Sequence, residues 1–276
     1  MNAAMSDTSS TRSAPGPSAR ELSSEGLSSE ALSSPELSAA KPDDMLIVDN
    51  LVAGYGRKQV VFDVSFHVAP GEVVALFGHN GSGKSTTIRT VHGMLAPLSG
   101  KVTFKGRDVT GHSTRQNVRA GMAMIPSERF VFPDLSVLDN LLLGGANEPD
   151  PAKRKERTEQ VYDLFPILRE RSTQLAGTLS GGQQRMVSLG LLLIAGPKLL
   201  MLDEPSLGLA PAVVEQIFFA VRDLARRDGL GVLLLEQNVA QALKIVDRAY
   251  VMRSGRVILE ETVTQMKARD SYWDLF

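Results

Sequence analysis

The chain has 276 residues, with 30 Lys+Arg against 31 Asp+Glu, four histidines and no cysteine. That length suits one large domain or two small ones, and a hydrophobic content of 43% is enough for a sizeable core. The absence of cysteine excludes a disulfide scaffold, a thiolate zinc site and a cysteine nucleophile, and a net charge of -1 gives no reason to expect nucleic acid as a partner.

Residues 1–44 read as a disordered, Ser-rich tail. Twelve serines fall between Ser6 and Ser38, together with Pro15, Pro17, Pro35 and Pro42. Leu22, Leu27, Leu32 and Leu37 recur every five residues, a spacing that gathers on neither a helix face nor a strand face. Such a segment buries too little apolar area to offset its chain entropy, and it lacks the continuous apolar stretch of a secretory signal. A docking or phosphorylation arm is the functional alternative. Residues 45–276 then hold 27 basic and 24 acidic groups, a balance compatible with an anionic ligand.

Leu46 to Tyr55, Val60 to Val68 and Lys101 to Phe104 read as antiparallel strands between Gly-containing turns. Glu72 to Phe77 is a buried strand that leads directly into Gly78-His79-Asn80-Gly81-Ser82-Gly83-Lys84-Ser85-Thr86. Ile88, Val91 and Leu95 then give helical spacing up to Pro97. This strand, loop and helix fit the pattern G-x-x-x-x-G-K-[ST]. Backbone N–H groups can wrap a phosphate only where no side chain intervenes, hence Gly78, Gly81 and Gly83. The helix start points its positive end at the anion, Lys84 adds a full charge for the β/γ-phosphates, and Ser85 offers a hydroxyl to Mg²⁺.

Residues 111–195 read as mostly helical, with Val161, Leu164, Phe165 and Leu168 on one stripe. Within them Leu179-Ser180-Gly181-Gly182-Gln183 precedes a helix. Ser180 and Gln183 have the spacing of a capping box, and Gly181 and Gly182 leave bare N–H groups, a second place for an anion. The apolar run from Val187 to Leu202 is broken by Ser188, Gly190, Gly196, Pro197 and Lys198, so nothing here reads as a membrane span. Leu199 to Leu202 form a second buried strand ending at Asp203-Glu204. Asp203 is placed to reach a metal held by Ser85, and Glu204 is a candidate general base for an attacking water. A helix marked by Val214, Ile217, Phe218, Val221 and Leu224 follows, and a third buried strand, Gly231 to Leu235, ends at Glu236-Gln237. Strands alternating with helices, with polar residues after each strand, indicate an α/β fold with a mainly parallel sheet and ligands at the strands' C-terminal ends. His67, His79, His92 and His112 lack companions at metal spacing and read as structural or surface residues. Trp273 and Phe276 read as anchors of a short C-terminal tail.

The phosphate loop, the Leu179–Gln183 segment and the Asp203-Glu204 strand, in this order, resemble the ABC ATPases over nearly all of residues 45–276. The resemblance implies a P-loop NTPase of ABC type: a mainly parallel core, an antiparallel β subdomain and a helical subdomain over about 111–195. It implies ATP and Mg²⁺ as ligands, a head-to-tail pair of ATP-binding subunits in which the Ser180–Gln183 segment serves the partner's nucleotide, and Tyr55 stacked on adenine. For Tyr55, a plain strand-end tyrosine is the alternative. Ser206-Leu207-Gly208-Leu209-Ala210-Pro211, Glu236-Gln237-Asn238, Ile125-Pro126 and Val131-Phe132-Pro133 resemble the ATPases of branched-chain amino acid uptake.

That likeness implies an ATP-hydrolysing subunit peripheral to the cytoplasmic face of the inner membrane. Its companions would be transmembrane permease subunits and, indirectly, an extracytoplasmic solute-binding protein, with no nucleic acid. A lipid or lipopolysaccharide exporter, a non-transport regulator and a degenerate nucleotide sensor are the alternatives. Three positions depart from the common family pattern. Gln237 stands at the γ-phosphate switch, where His is usual; Ser127, followed by Glu128, stands where Gln or Glu is usual; and Ala210 replaces a common Asp. Phe130, Phe132 and Leu135 suit either a groove for a membrane partner or the core of the helical subdomain.

Overall fold

Alternating burial along the first two strands sets the architecture. In the computed structural model, which describes residues 37–272 apart from Arg129, Asn147 and Asp270, β1 (Leu46–Tyr55) and β2 (Lys58–Val68) pair antiparallel, with Leu46 opposite Val68 and Tyr55 opposite Lys58. Residues 1–36, and with them most of the Ser-rich tail, lie outside the described residues, as do Trp273 and Phe276. Next in order come β3 (Val73–Phe77), α1 (Lys84–His92), β4 (Ser99–Phe104), β5 (Arg107–Asp108), α2 (Thr114–Ala120) and β6 (Met122–Ile125). Helices α3 (Val137–Gly144), α4 (Pro151–Leu164), α5 (Pro166–Glu170) and α6 (Gly181–Ile194) follow. The chain then runs through β7 (Leu199–Asp203), α7 (Pro211–Asp228), β8 (Gly231–Glu236), α8 (Val239–Ala242), β9 (Arg248–Arg253), β10 (Arg256–Thr262) and α9 (Val263–Lys267).

Two sheets result. The smaller has the order β2-β1-β4-β5, and its strand pairs are antiparallel. The larger has the order β10-β9-β3-β8-β7-β6, parallel except for the β9–β10 pair. Every residue of β3, β7 and β8 is buried, which explains their unbroken apolar runs. The two faces of this sheet feed separate cores. Val73, Ala75, Phe77, Leu200, Leu202, Val232 and Leu234 pack with α3–α7 on one side. Val74, Leu76, Leu199, Met201, Leu233 and Leu235 pack with α1 and the antiparallel sheet on the other.

Register positions the site. Phe77 lies opposite Glu236, Asp203 opposite Leu235, and Ile125 opposite Leu202. The segments that leave β3, β8, β7 and β6 therefore emerge side by side at one edge of the sheet, where ligands bind in open parallel sheets.

The structure departs from the sequence expectations at several elements. Met122–Ile125 is a buried strand inside a region read as mostly helical. It is four residues long, and Met and Ala carry little strand preference. The hairpin β9–β10 had no counterpart in the reading. The first helix ends at His92, with Gly93 at φ 84°, so Leu95 packs against the core from outside the helix.

Candidate functional site

The loop after β3 is built so that side chains are excluded from it. A Cβ on Gly78 would lie 2.4 Å from the Met252 carbonyl oxygen and 2.5 Å from Ser82 Oγ. Gly83, the N-cap of α1, has φ 105° and brings no side-chain acceptor to the helix start, so the first N–H groups of α1 face outward from a bare turn. Lys84 folds back across the loop, donating from Nζ to the Gly78 carbonyl at 2.6 Å and the His79 carbonyl at 3.1 Å. Burial holds the Lys84 ammonium below the usual lysine pKa, and the charges of Glu204 and Asp203 oppose that shift. Ser82 Oγ is buried without a hydrogen-bond partner among the described residues.

The acidic side comes from the end of β7. Ser85 Oγ donates to Asp203 Oδ1 at 3.1 Å, while Asp203 Oδ2 is buried with no hydrogen-bond partner among the described residues. Burial raises the Asp203 carboxyl above the ordinary range, and the Ser85 bond works against that. A hydroxyl beside a carboxylate oxygen with an unused lone pair is a donor set that fits Mg²⁺.

The Glu204 carboxylate sits between the two halves of the site. Its Oε1 lies 3.7 Å from Lys84 Nζ and accepts from Gln237 Nε2 at 2.6 Å. The same Gln237 nitrogen donates to Asn80 Oδ1 at 2.8 Å. One amide from the end of β8 thus ties the phosphate loop to Glu204. A glutamine can do this without changing its protonation state.

The structure brings Asn80, Lys84, Glu204 and Gln237 into one bonded set and Ser85 and Asp203, their chain neighbours, into a second beside it. Four backbone and side-chain groups around them have no role assigned from the sequence, although Glu236 falls in the Glu236-Gln237-Asn238 segment. Glu236 is buried and its carboxylate accepts from the Ser206 N–H at 3.0 Å, the Ser206 hydroxyl at 2.9 Å and the Gln237 N–H at 3.2 Å, so it holds the loop that follows Glu204; burial raises its carboxyl. Gly255, in the β9–β10 turn, donates its N–H to the Ser82 carbonyl at 2.9 Å. Met252 roofs Gly78. Arg185, from α6, reaches the carbonyls of Asp203 and Glu204 at 3.3 and 3.4 Å. Arg185 had a legible signal: it is the one charged side chain in the apolar sequence of α6.

Ser180 and Gln183 form the expected capping box at the start of α6, with the Gln183 N–H 3.3 Å from Ser180 Oγ and the Ser180 N–H 3.1 Å from Gln183 Oε1. A Cβ on Gly182 would meet Val213 Cγ1 at 2.8 Å, so this glycine also lets α6 approach α7. Tyr55 is 48% exposed at the end of β1. Ser127 is half-buried in the segment after β6, and Glu128 beside it is exposed. Phe130 and Phe132 are 43% and 45% exposed, with their rings in edge contact at 6.1 Å. Their backbone is pinned, by Ser188 Oγ to the Phe130 carbonyl at 2.6 Å and by Asn140 to both polar groups of Phe132. Of the two readings for these rings, exposure rules out the filling of the helical core. Among the described residues no helix is long and apolar enough to cross a membrane.

Residues 61–207 match the ABC transporter family. The chain is 44% identical over 232 residues to the high-affinity branched-chain amino acid transport ATP-binding protein BraG of Pseudomonas aeruginosa, covering 83% of this chain and 99% of that one. It is 38% identical to the lipopolysaccharide export system ATP-binding protein LptB of Acidithiobacillus ferridurans, covering 78% of this chain and 89% of the relative. Among solved structures, a nucleotide-free ATP-binding cassette from an ABC transporter superposes with a TM-score of 0.74 at 28% identity, covering 84% of this chain and 98% of that one.

Proposed function

This chain belongs to the ABC transporter family as an ATP-binding, ATP-hydrolysing subunit, and from that premise we propose that it powers a membrane importer of branched-chain or other amino acids. The observation that carries the solute class is the 44% identity to BraG across nearly that protein's whole length. We assign residues 45–276 to the ATP-binding domain, with its helical subdomain over about 111–195 and the Ser-rich tail before it.

The chemistry proposed for the site follows from its geometry. The bare N–H groups of the loop and the Lys84 ammonium bind and orient the β/γ-phosphates, leaving Gly78 and His79 for the nucleotide. Ser85 and Asp203 hold Mg²⁺, which when bound supplies positive charge to the phosphate oxygens. Glu204 takes the proton from the attacking water as its oxygen bonds to the γ-phosphorus and the β–γ bridge breaks. Gln237 keeps the carboxylate facing the loop. Tyr55 covers the adenine, and Ser180, Gly181 and Gly182 of one subunit close on the nucleotide held by the other. Ser127 or Glu128 borders the same edge, after β6. Phe130, Phe132 and Leu135 offer an exposed apolar face to a transmembrane subunit, and the likeness to BraG supports a position at the cytoplasmic face of the membrane.

A second reading, ATPase of a lipopolysaccharide exporter, is favoured by the likeness to LptB. Purification of the full-length chain with its native membrane subunits, followed by ATPase assay in liposomes, separates the two. The import reading predicts stimulation of at least severalfold by a solute-binding protein loaded with a branched-chain amino acid. Stimulation by lipopolysaccharide instead, with none by the loaded binding protein, overturns it.

A further inference from the structure

Arg185 is only 6% exposed. Its Nη1 donates to the Pro126 carbonyl at 2.7 Å and the Glu128 carbonyl at 3.2 Å, and its Nη2 to the Asp203 and Glu204 carbonyls at 3.3 and 3.4 Å. These carbonyls belong to two loops, one after β6 and one at the end of its parallel neighbour β7. Among the described residues no carboxylate lies within 4.0 Å of it as an ion-pair partner. Burial disfavours the Arg185 charge, and the carboxylates of Asp203 and Glu236 oppose that from beyond ion-pair distance; what its two terminal nitrogens bond directly is the backbone of the site itself.

A second observation concerns Glu204. Its φ is 48°, the left-handed region, which costs a side-chain-bearing residue about 1 kcal/mol or more. Its peptide groups are pinned on both sides: the N–H donates to the Leu235 carbonyl at 2.9 Å, and the carbonyl accepts from Arg185. That fixed turn sets the point from which the carboxylate reaches Lys84 and Gln237.

We infer that Arg185 is a positioning residue for hydrolysis: it locks the backbone of Glu204 to the 126–128 segment and to the helix that begins at Ser180, so that Glu204 is aimed only when all three move as one. The inference rests on the reading of Glu204 as the base. A lysine at this position keeps the charge but has one nitrogen in place of the planar fork, whose Nη1 serves one loop and Nη2 the other.

The test is a kinetic comparison on the full-length chain. Arg185→Lys is expected to lower kcat by roughly 30-fold, because displacement of a reacting group by about 1 Å costs up to ~100-fold, while KM for Mg·ATP stays within about 3-fold and the urea midpoint stays near wild type. In a Glu204→Gln background the same change is expected to alter the single-turnover rate by less than about 2-fold, as effects that act through one residue do not multiply. Wild-type kcat in Arg185→Lys, an equal loss in both backgrounds, or a rise in KM matched by lost stability overturns the inference. If Glu204→Gln turns over normally, the base assignment falls, and the inference falls with it. If Glu204→Gln is defective and Arg185→Lys is not, only the inference falls. Should the lysine variant fail to fold, Arg185→Gln, which can bond one loop at a time, goes through the same comparison.

Discussion

His92 shows how a single buried side chain writes itself into the stability of this protein. The imidazole lies inside, 6% exposed at the end of α1, and neither ring nitrogen has a hydrogen-bond partner among the described residues. Burial lowers its pKa from 6.5 to about 4. The native ring therefore stays neutral where the unfolded ring takes a proton, so stability present above pH 6.5 is lost as pH falls toward 4. The full effect is about 3 kcal/mol at the usual 1.36 kcal/mol per pKa unit. Urea unfolding of His92→Leu at pH 7 and near pH 4.5 should show a weaker loss on acidification than wild type, by most of that amount. Identical pH dependence in both would mean the ring is hydrated or paired. The sequence could show that His92 lacks metal companions. It could not show this isolation, because burial of one face of α1 depends on strands distant in the chain.

At the scale of elements, what was legible depended on how local the signal is. The strands β3, β7 and β8 and the loop and helix after β3 could be read directly, since apolar runs ending in Gly, Asp or Glu are local patterns. The short β6 could not, because its place beside β7 comes from tertiary pairing. The β9–β10 hairpin matters more for the site than its absence from the reading suggests. Its Gly255, at φ 80°, donates to the Ser82 carbonyl and accepts from the Phe62 N–H at 2.8 Å, and a Cβ there would lie 2.1 Å from the Val60 carbonyl oxygen. The turn thus braces the phosphate loop from behind. Gly255→Ala is expected to destabilise the protein by about 2 kcal/mol or more, as a side chain is forced into a left-handed turn without space. It should also weaken Mg·ATP binding more than an equally destabilising change elsewhere. Calorimetric titration beside a thermal melt checks both; lost stability with unchanged affinity would separate the hairpin from the loop.

Over the whole molecule, the fold turns one sheet edge into a place where four loops meet. The pairs that define it are 118 residues apart for Ser85 and Asp203, and 157 for Asn80 and Gln237; the first meeting is legible from the phosphate loop and the acidic strand end, whereas the role of Gln237 at the γ-phosphate comes only through the family resemblance. The resemblance includes Glu236 only as part of the Glu236-Gln237-Asn238 segment, without its bonds to the Ser206 N–H and hydroxyl, and it gives no role to Arg185, which works on backbone carbonyls that leave no mark in a motif. The surface around the exposed Phe130 and Phe132 and the start of α6 at Ser180 give the molecule two further faces, which the proposed assembly assigns to a membrane subunit and to a second ATP-binding subunit. All of this depends on the cradle between Gly78 and Thr86. Its most direct test is equilibrium titration of the full-length chain with Mg·ATP, wild type beside Lys84→Ala. Saturable binding of one nucleotide per chain, weakened about 100-fold or more when the buried ammonium is removed, is the predicted result; no saturable binding by the wild-type chain, or equal binding by the two, would contradict it.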